Sequence, residues 1–148
     1  MRDPAAAPVI SQRPILARAI VLLDSAKLPV ADLTERHCEH FFYAGDARCP
    51  VGLVGLEPLG SDALLRSLVV TAAERGSGTG SALVECAEQY ARTRGVASLY
   101  LLTTTAEDFF ARRGYSRVPR DSAPASIKAT PEVAGICPVS SAFMRKQL

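Results

Sequence analysis

The chain has no tryptophan and few other aromatic residues, with five phenylalanines and four tyrosines in 148 residues. So few rings are hard to assemble into the stacking platforms with which proteins bind single-stranded nucleic acid. A formal net charge of +2 gives no general attraction to nucleic acid or to an anionic membrane. No apolar run approaches the roughly 18 residues that a membrane-spanning helix needs. These absences argue against nucleic acid and membrane as partners.

The cysteines and the N-terminus also lack a recognisable pattern. None of the four cysteines forms a C-x-x-C pair or stands at zinc-finger spacing to His37 or His40, so no metal site is predicted. The first residues include Asp3 and Pro4 and make a poor signal peptide. We therefore expect a cytoplasmic protein whose thiols stay reduced.

The composition is that of one globular domain, with 48% hydrophobic and 22% charged residues. Residues 1–12 are expected to be a flexible N-terminal segment, in which Val9 and Ile10 alone suggest a short strand, and residues 13–148 the folded domain. The order of elements is helices first, then a hairpin of strands, then strand–helix–strand–helix–strand. This order predicts an α/β (α+β) fold with a mixed central β-sheet flanked by helices.

Hydrophobic periodicity and the positions of glycine and proline predict the individual elements. Helices are predicted at 12–26, 31–38, 80–94 and 106–113, with one or two helical turns within 122–135. Strands are predicted at 41–43, 51–57, 63–70, 97–102, 115–118 and 140–145. Turns are expected at Gly45-Asp46 and at residues 58–60.

The clearest functional signal is a glycine-rich turn between a strand and the longest predicted helix. Its glycines leave room for backbone N–H groups around an anion, and the helix N-terminus adds unpaired donors and a positive dipole end. No lysine follows, as a P-loop would require, and Ser81 or Leu83 stands where the dinucleotide fingerprint needs its third small residue. The turn therefore predicts a phosphate or pyrophosphate site, with Arg75 at its edge.

This stretch resembles the acetyl-CoA signature of the GNAT acetyltransferase superfamily, Arg/Gln-x-x-Gly-x-Gly/Ala after a Leu-x-Val-type strand end. Arg75, Gly78 and Gly80 match it, and residues 103–115 are similar to a second family block, Asn-x-x-Ala-x-x-x-Tyr-x-x-x-Gly-Phe. The resemblance implies a GNAT-like fold and acetyl-CoA as co-substrate. The residues implied to bind it are Leu68, Val69, Val70, Arg75, Gly76, Ser77, Gly78, Thr79, Gly80, Ser81, Thr103 and Phe110.

Three positions depart from the family pattern. Thr103 replaces the asparagine, and Phe110 replaces the tyrosine that in many relatives is taken as the acid for the leaving thiolate. Phe110 has no proton to donate, so that role is vacant or filled elsewhere. Tyr115 stands at the Gly-Phe position, where the resemblance implies a residue packed in the sheet rather than an acid.

Three further stretches resemble the arsenic-resistance N-acetyltransferase branch: residues 54–58, residues 64–68, and a tail with residues 126–130 and 136–138. The resemblance implies that the acceptor is an arsenic-containing or glutamate-like amino acid. Cys137 offers a thiol in this tail, but an arsenite site would need two more nearby cysteines, for which the sequence gives no indication.

Two charged residues within apolar strands are the catalytic candidates. Glu57 ends the strand VGLVGLE and is the best candidate base, the alternative being a solvated carboxylate beside a turn. Arg66 within ALLRSLVV could hold a carboxylate or oxyanion of the substrate, or could face solvent. Ser67 should face the opposite side from Arg66 if the strand is regular.

The leading hypothesis is an acetyl-CoA-dependent N-acetyltransferase that acts on a small-molecule amine. Acetylation of a peptide, protein or antibiotic amine is one alternative. A non-catalytic GNAT-like protein that binds acetyl-CoA or arsenite is the other. A homodimer is left open.

Overall fold

The computed structural model describes residues 8–136 and 141–148, and these form one mixed sheet with helices packed against it. The strands are β1 (Ile10–Gln12), β2 (Phe41–Asp46), β3 (Cys49–Leu59), β4 (Asp62–Val70), β5 (Ser98–Thr103), β6 (Ser116–Arg117) and β7 (Ala142–Gln147). The helices are α1 (Leu16–Ser25), α2 (Glu35–Cys38), α3 (Thr79–Thr93), α4 (Glu107–Ala111) and α5 (Ala125–Lys128).

The sheet has the strand order β1-β2-β3-β4-β5-β7-β6. Strands β1 to β4 are joined antiparallel, β5 runs parallel to β4, and β7 lies antiparallel between β5 and β6. The predicted mixed sheet and its flanking helices are therefore confirmed. Within the described residues, no helix is long and apolar enough to cross a membrane.

Several predicted boundaries are wrong, and cross-strand pairing explains each. Residues 10–12 were expected to belong to a flexible segment, but Ile10–Gln12 pairs with β2; residues 1–7 lie outside the described chain. Gly45 and Asp46 were expected to turn, but they continue β2 through a bulge and pair with β3. β3 likewise runs on to Leu59, because its end pairs with the start of β4. Residue 140 of the predicted last strand lies outside the described residues.

The sheet has an apolar core on both faces. On one face α3 packs against β2, β3 and β4 through Leu83, Val84 and Ala87. On the other face Ala19 and Leu23 of α1 cover the middle of the sheet. A third cluster lies beside this second layer, where α5 packs on the strands; its buried members are Leu64, Tyr100, Ala123, Ile127 and Phe143.

The feature that positions the functional site is a divergence between β4 and β5. The two strands pair only from residues 62–64 of β4 to residues 98–100 of β5, and beyond that they separate. From Leu65 to Val70, β4 therefore has no β5 partner along the edge that faces the gap. β4 is also bulged here, since Ser67 has a φ of +60° and its register with β3 shifts between Leu53 and Gly55.

Candidate functional site

The glycine-rich turn forms an open cleft of about 410 Å³ at the N-terminus of α3. β4 ends at Val70, one short helical turn follows, and the chain then enters α3 through Gly76 and Gly78, whose φ angles are +81° and +87°. A Cβ at either glycine would meet no atom within 4 Å, so the requirement for glycine is the left-handed backbone rather than crowding. The cleft is lined by Val70, Glu74, Arg75, Gly76, Gly78, Thr79, Gly80, Ser81, Phe109 and Arg113.

The cleft presents backbone donors, as the sequence predicted. Ala82 is the first residue whose N–H bonds back into the helix, to the carbonyl of Gly78. The N–H groups of residues 79–81 therefore precede the first helical hydrogen bond and are the orphan donors of a helix N-terminus. They lie at the positive end of a 15-residue helix, which is a suitable place for a phosphate group.

Arg113 supplies a second cation at this cleft, beside Arg75, and sequence reasoning missed it. Its guanidinium carbon lies 3.5 Å from the centre of the Phe109 ring, and its Nη1 donates to the Phe109 carbonyl at 2.7 Å. Its Nη2 donates to the Ser81 hydroxyl in the first turn of α3. These contacts hold the guanidinium beside the first turn of α3, at the wall of the cleft.

A second cavity, of about 170 Å³, fills the gap between the diverging strands. β4 contributes residues 65–68, and β5 with the loop after it contributes residues 101–106. Phe110 lines the cavity from α4, and Lys27, Glu132 and Ser141 line it from outside the two strands. The exposed edge of β4 runs from this cavity to the cleft, so one strand connects the two.

The residues at the second sequence block occupy defined places beside this cavity. Thr103 accepts a hydrogen bond from the Ala106 N–H at 3.0 Å, so its hydroxyl caps the turn into α4. Phe110 is buried, with its ring edge-on to Phe109 and Tyr115. Tyr115 is buried in the core, as expected, and donates its hydroxyl to Glu88 at 2.9 Å. Burial and the Glu88 carboxylate both raise the pKa of Tyr115, which makes it a poor acid.

Arg66 lies inside the protein and is held by three carboxylates. Its side chain is fully buried; Nη1 donates to Asp32 at 2.5 Å and to Glu57 at 2.7 Å, and Nη2 donates to Asp32 at 2.9 Å. Nη2 also lies 3.1 Å from Glu132 Oε1, and Nε donates to Ser67 at 3.0 Å. A guanidinium has five N–H donors, so a substrate carboxylate could bind Arg66 only by displacing one of these partners.

The expectation that Arg66 and Ser67 face opposite sides is wrong. Both line the cavity, and their side chains are hydrogen-bonded to each other. The positive φ of Ser67 breaks the regular alternation of the strand, which the sequence pattern alone assumes. Glu57 does meet Arg66 as a neighbour on β3, but it is bound by the arginine and does not line the cavity.

His37 stands against the same cluster, with its Nε2 3.8 Å from Asp32 Oδ2 and 3.8 Å from Glu57 Oε1. These three side chains lie close enough together to hold a metal ion. However, the Thr34 N–H donates to His37 Nδ1 at 3.2 Å, so the neutral ring carries its proton on Nε2. A protonated nitrogen cannot ligate, and both carboxylates are already bound to Arg66. The chemistry therefore favours an N–H that faces the carboxylates over a metal site.

The carboxyl groups around Arg66 differ in their electrostatics. Burial opposes ionisation of Asp32, but its hydrogen bonds and charge interaction with Arg66 hold the pKa of Asp32 below its usual value. Glu132 is more deeply buried, and the contact that it makes with Arg66 is an ion pair of 3.1 Å between Nη2 and Oε1. Burial, together with the charges of Asp32 and Glu57, raises the pKa of Glu132 to about 7.

Sequence reasoning missed Lys27, Asp32 and Glu132 as well as Arg113. Lys27 follows α1 with a φ of +59°, Asp32 lies in the loop before α2, and Glu132 begins a wide helical turn at Glu132–Ile136. All three lie in connecting segments without a motif. The one available signal was the presence of a lone arginine in an apolar strand, because a buried guanidinium requires acidic partners somewhere in the chain.

The fold and the glycine-rich cleft define a class of acyl-transferring protein, and comparison with known proteins specifies the family. The acetyltransferase (GNAT) family model matches residues 16–117, which is more than half of the chain. The chain therefore belongs to the GNAT family, whose members use acetyl-CoA. No curated protein sequence matches it significantly.

Solved structures with the same fold include enzymes and proteins bound to CoA. N-acetylglutamate synthase from Neisseria gonorrhoeae, complexed with coenzyme A and N-acetyl-glutamate, superimposes with a TM-score of 0.81 at 20% identity over 97% of this chain. The chain spans only 35% of that enzyme's length. Rv2747 from Mycobacterium tuberculosis, in complex with CoA and NLQ, has a TM-score of 0.76 at 20% identity, over 95% of this chain and 99% of that one. A GNAT-family acetyltransferase from Staphylococcus aureus Mu50 has a TM-score of 0.75 at 17% identity, over 96% and 99%.

Proposed function

We propose that this chain transfers an acetyl group from acetyl-CoA to the amine of a small molecule. The observation that carries the proposal is the connection of two sites by one strand: the edge of β4 that β5 leaves unpaired runs from the glycine-rich cleft to the cavity in the gap. The cleft suits a pyrophosphate, and the exposed backbone edge suits an extended amide-containing arm. The cavity of about 170 Å³ offers room for an acetyl group and an amine beside this strand.

The residues proposed to contact acetyl-CoA are those of the two sequence blocks, with one addition. Backbone groups of residues 68–70 lie along the unpaired edge of β4, where an N–H could stabilise charge on the thioester oxygen. The residues proposed for the cleft are Arg75, Gly76, Ser77, Gly78, Thr79, Gly80 and Ser81, joined by Arg113. Thr103 and Phe110 line the cavity end. Phe110 gives the thioester an apolar neighbour rather than a proton donor.

The proposed acceptor is a small anionic amino acid, with a glutamate-like side chain as the first candidate. Arg66 was the expected clamp for its carboxylate, but all its donors face protein partners. Lys27 is the alternative, because it is exposed at the edge of the cavity and no ion pair is recorded for it within the described residues. The N-acetyl-glutamate complex of N-acetylglutamate synthase supports a glutamate-like acceptor on this fold.

An arsenic-containing amino acid is the finer proposal that the sequence resemblance adds. Such a substrate would present the same amine and an anionic group at the other end, and Lys27 would bind that anionic group in the same way. Direct binding of arsenic by thiols has no support within residues 8–136 and 141–148, where the one cluster of three potential ligands contains no cysteine. Cys137 lies outside these residues.

The experiment is a screen of amines for acetyl-CoA-dependent release of free CoA, with glutamate, its phosphorus and arsenic analogues, neutral amino acids, a peptide and an aminoglycoside. We expect turnover with an anionic amino acid. Lys27→Ala should raise the KM for that acceptor about tenfold and change kcat little, because the interaction is shared by the ground and transition states. Lys128→Ala, at an exposed position on α5, is the matched control. Equal KM values for the two variants would contradict the proposed role of Lys27.

A non-catalytic acetyl-CoA-binding protein is the second candidate, and the buried Phe110 at the usual tyrosine position favours it. Binding of acetyl-CoA without CoA release on any amine would establish this alternative. A cytoplasmic location and a homodimer also remain predictions, to be tested by fractionation of cells and by light scattering of the purified protein.

A further inference from the structure

The three carboxyl groups around Arg66 are not equivalent, because they differ in their hydrogen bonds to Arg66 and in whether they line the cavity. Asp32 receives two hydrogen bonds from Arg66, and Glu57 receives one. Neither of these side chains lines the cavity between β4 and β5. Glu132 does line it, and its side chain is only 5% exposed. One carboxyl group of the cluster therefore faces the space in which the acceptor amine would lie.

Among the described residues, Glu132 is also the carboxyl group of this cluster with the weakest hydrogen bonding to the protein. Its recorded partner among the described residues is Arg66, through an ion pair of 3.1 Å between Nη2 and Oε1. Asp32 and Glu57 accept hydrogen bonds from the guanidinium, and these two carboxylates together already exceed its single positive charge. The geometry leaves Glu132 with capacity to accept a proton from a group in the cavity.

We propose that Glu132 is the catalytic base that takes a proton from the acceptor amine, an inference that rests on the proposed acetyltransferase function. The ammonium group gives one proton to a carboxylate oxygen of Glu132. The nitrogen lone pair then forms the C–N bond at the thioester carbonyl, and the C–S bond breaks with its electron pair on sulfur. The second N–H proton ends on that sulfur, so the products are the N-acetyl amide, the free thiol and a protonated Glu132 that returns its proton to solvent.

The electrostatic surroundings of Glu132 suit this role. The charged groups that act on it are Arg66 from β4, Asp32 from the loop before α2 and Glu57 from β3, and Lys27 lines the same cavity. His37 lies 3.8 Å from a carboxylate oxygen of Asp32 and 3.8 Å from one of Glu57. Burial and the two neighbouring carboxylates raise the pKa of Glu132 to about 7, so the group can both accept and release a proton near neutral pH.

The test compares Glu132→Gln with Glu57→Gln, which alters the same cluster outside the cavity. For Glu132→Gln we expect kcat to fall about 100-fold or more, the rise of kcat/KM with pH near 7 to disappear, and acetyl-CoA affinity by calorimetry to stay unchanged. Glu132→Asp should keep part of the rate and the pH-dependent rise. Glu85→Gln, at an exposed position on α3, should match the native protein.

A readout that does not depend on turnover is the titration of the carboxyl carbons by ¹³C NMR. The resonance missing in Glu132→Gln should titrate with a midpoint near 7 in the native protein. An active native enzyme in which Glu132→Gln keeps its kcat, or in which Glu57→Gln instead removes the pH-dependent rise, overturns the inference and leaves the proposed function standing. A native protein that binds acetyl-CoA but acetylates no amine overturns both.

Discussion

The cleft at α3 follows the end of β4, whereas the charge cluster is centred on Arg66 in the middle of that strand, and the two are built in opposite ways. The cleft is open, consists largely of backbone, and comes from one continuous stretch between Val70 and Ser81, with a contribution from α4. The cluster is buried, consists of charged side chains, and draws on β4, β3, the loop before α2 and the turn at Glu132. The cleft leaves backbone N–H groups accessible to a ligand, whereas in the cluster the N–H donors of Arg66 already have protein partners.

Because of this contrast, we expect substitutions in the cleft to affect ligand binding and substitutions in the cluster to affect stability. A cleft of exposed N–H groups and arginines contributes little to folding and should tolerate change at a cost in ligand affinity. A buried guanidinium with three carboxylates should instead tolerate little change without a loss of stability, because removal of one partner leaves uncompensated charge in a low-dielectric environment. The predictions below test that separation.

The largest expected effect is on stability at Arg66. Arg66→Ala leaves the carboxylates of Asp32, Glu57 and Glu132 without their shared cation, and we expect the free energy of unfolding to fall by about 3–5 kcal/mol. Urea denaturation measures this change. Arg117→Ala removes an exposed ion pair with Glu107 and should cost less than about 1 kcal/mol. Similar losses in the two variants would mean that the cluster is not a stabilising centre.

The second effect is a pH dependence of stability that Glu132 causes. Because its pKa is raised on folding from 4.5 to about 7, the folded state binds this proton more tightly than the unfolded state. The resulting stabilisation is complete below the unfolded pKa and is lost as the pH rises through 7, on the order of 3 kcal/mol. Glu132→Gln should remove this decline. Denaturation curves at pH 5, 6, 7 and 8 for both proteins measure it, and parallel pH dependence in the two would contradict it.

The third effect belongs to the cleft. Arg113→Ala removes a cation held at the wall of the cleft, and we expect acetyl-CoA affinity to fall about tenfold with little loss of stability. Arg112→Ala, the neighbouring arginine, is exposed and does not line the cleft, so it serves as the matched control. Isothermal calorimetry measures both. A loss shared by the two variants would reflect general charge rather than the placement of Arg113.

The smallest effect is expected at Phe110. Phe110→Tyr adds a hydroxyl at the cavity wall, and the rate should stay within about tenfold, or rise if the hydroxyl reaches the sulfur. Steady-state kinetics on the best acceptor measure the change. A much larger loss in a folded variant would show that the position requires an apolar ring, which would contradict the proton-donor argument.

The same contrast explains how much the sequence could predict. The strand end, the glycines and the helix start of the cleft are contiguous, so their spacing alone predicted a glycine-lined turn at the start of a helix, and the order of elements predicted the mixed sheet; acetyl-CoA binding at this turn stays a prediction. Arg66 was recognised as unusual, but its partners Asp32 and Glu132 lie 34 and 66 residues away in segments without periodicity. Ser67 was assigned the wrong face because a bulge depends on pairing with β3 and not on the local pattern.

The most direct test of the account is a calorimetric titration of acetyl-CoA into the native protein, Gly78→Asp and Gly60→Asp. Both glycines have a left-handed backbone, with φ of +87° and +74°, and a Cβ at either would meet no atom within 4 Å, so the two substitutions impose a similar local strain. Only Gly78→Asp places a carboxylate in the cleft. The account predicts single-site binding to the native protein and to Gly60→Asp, and a loss of affinity of about 100-fold or more in a folded Gly78→Asp. Unchanged affinity in Gly78→Asp would contradict it.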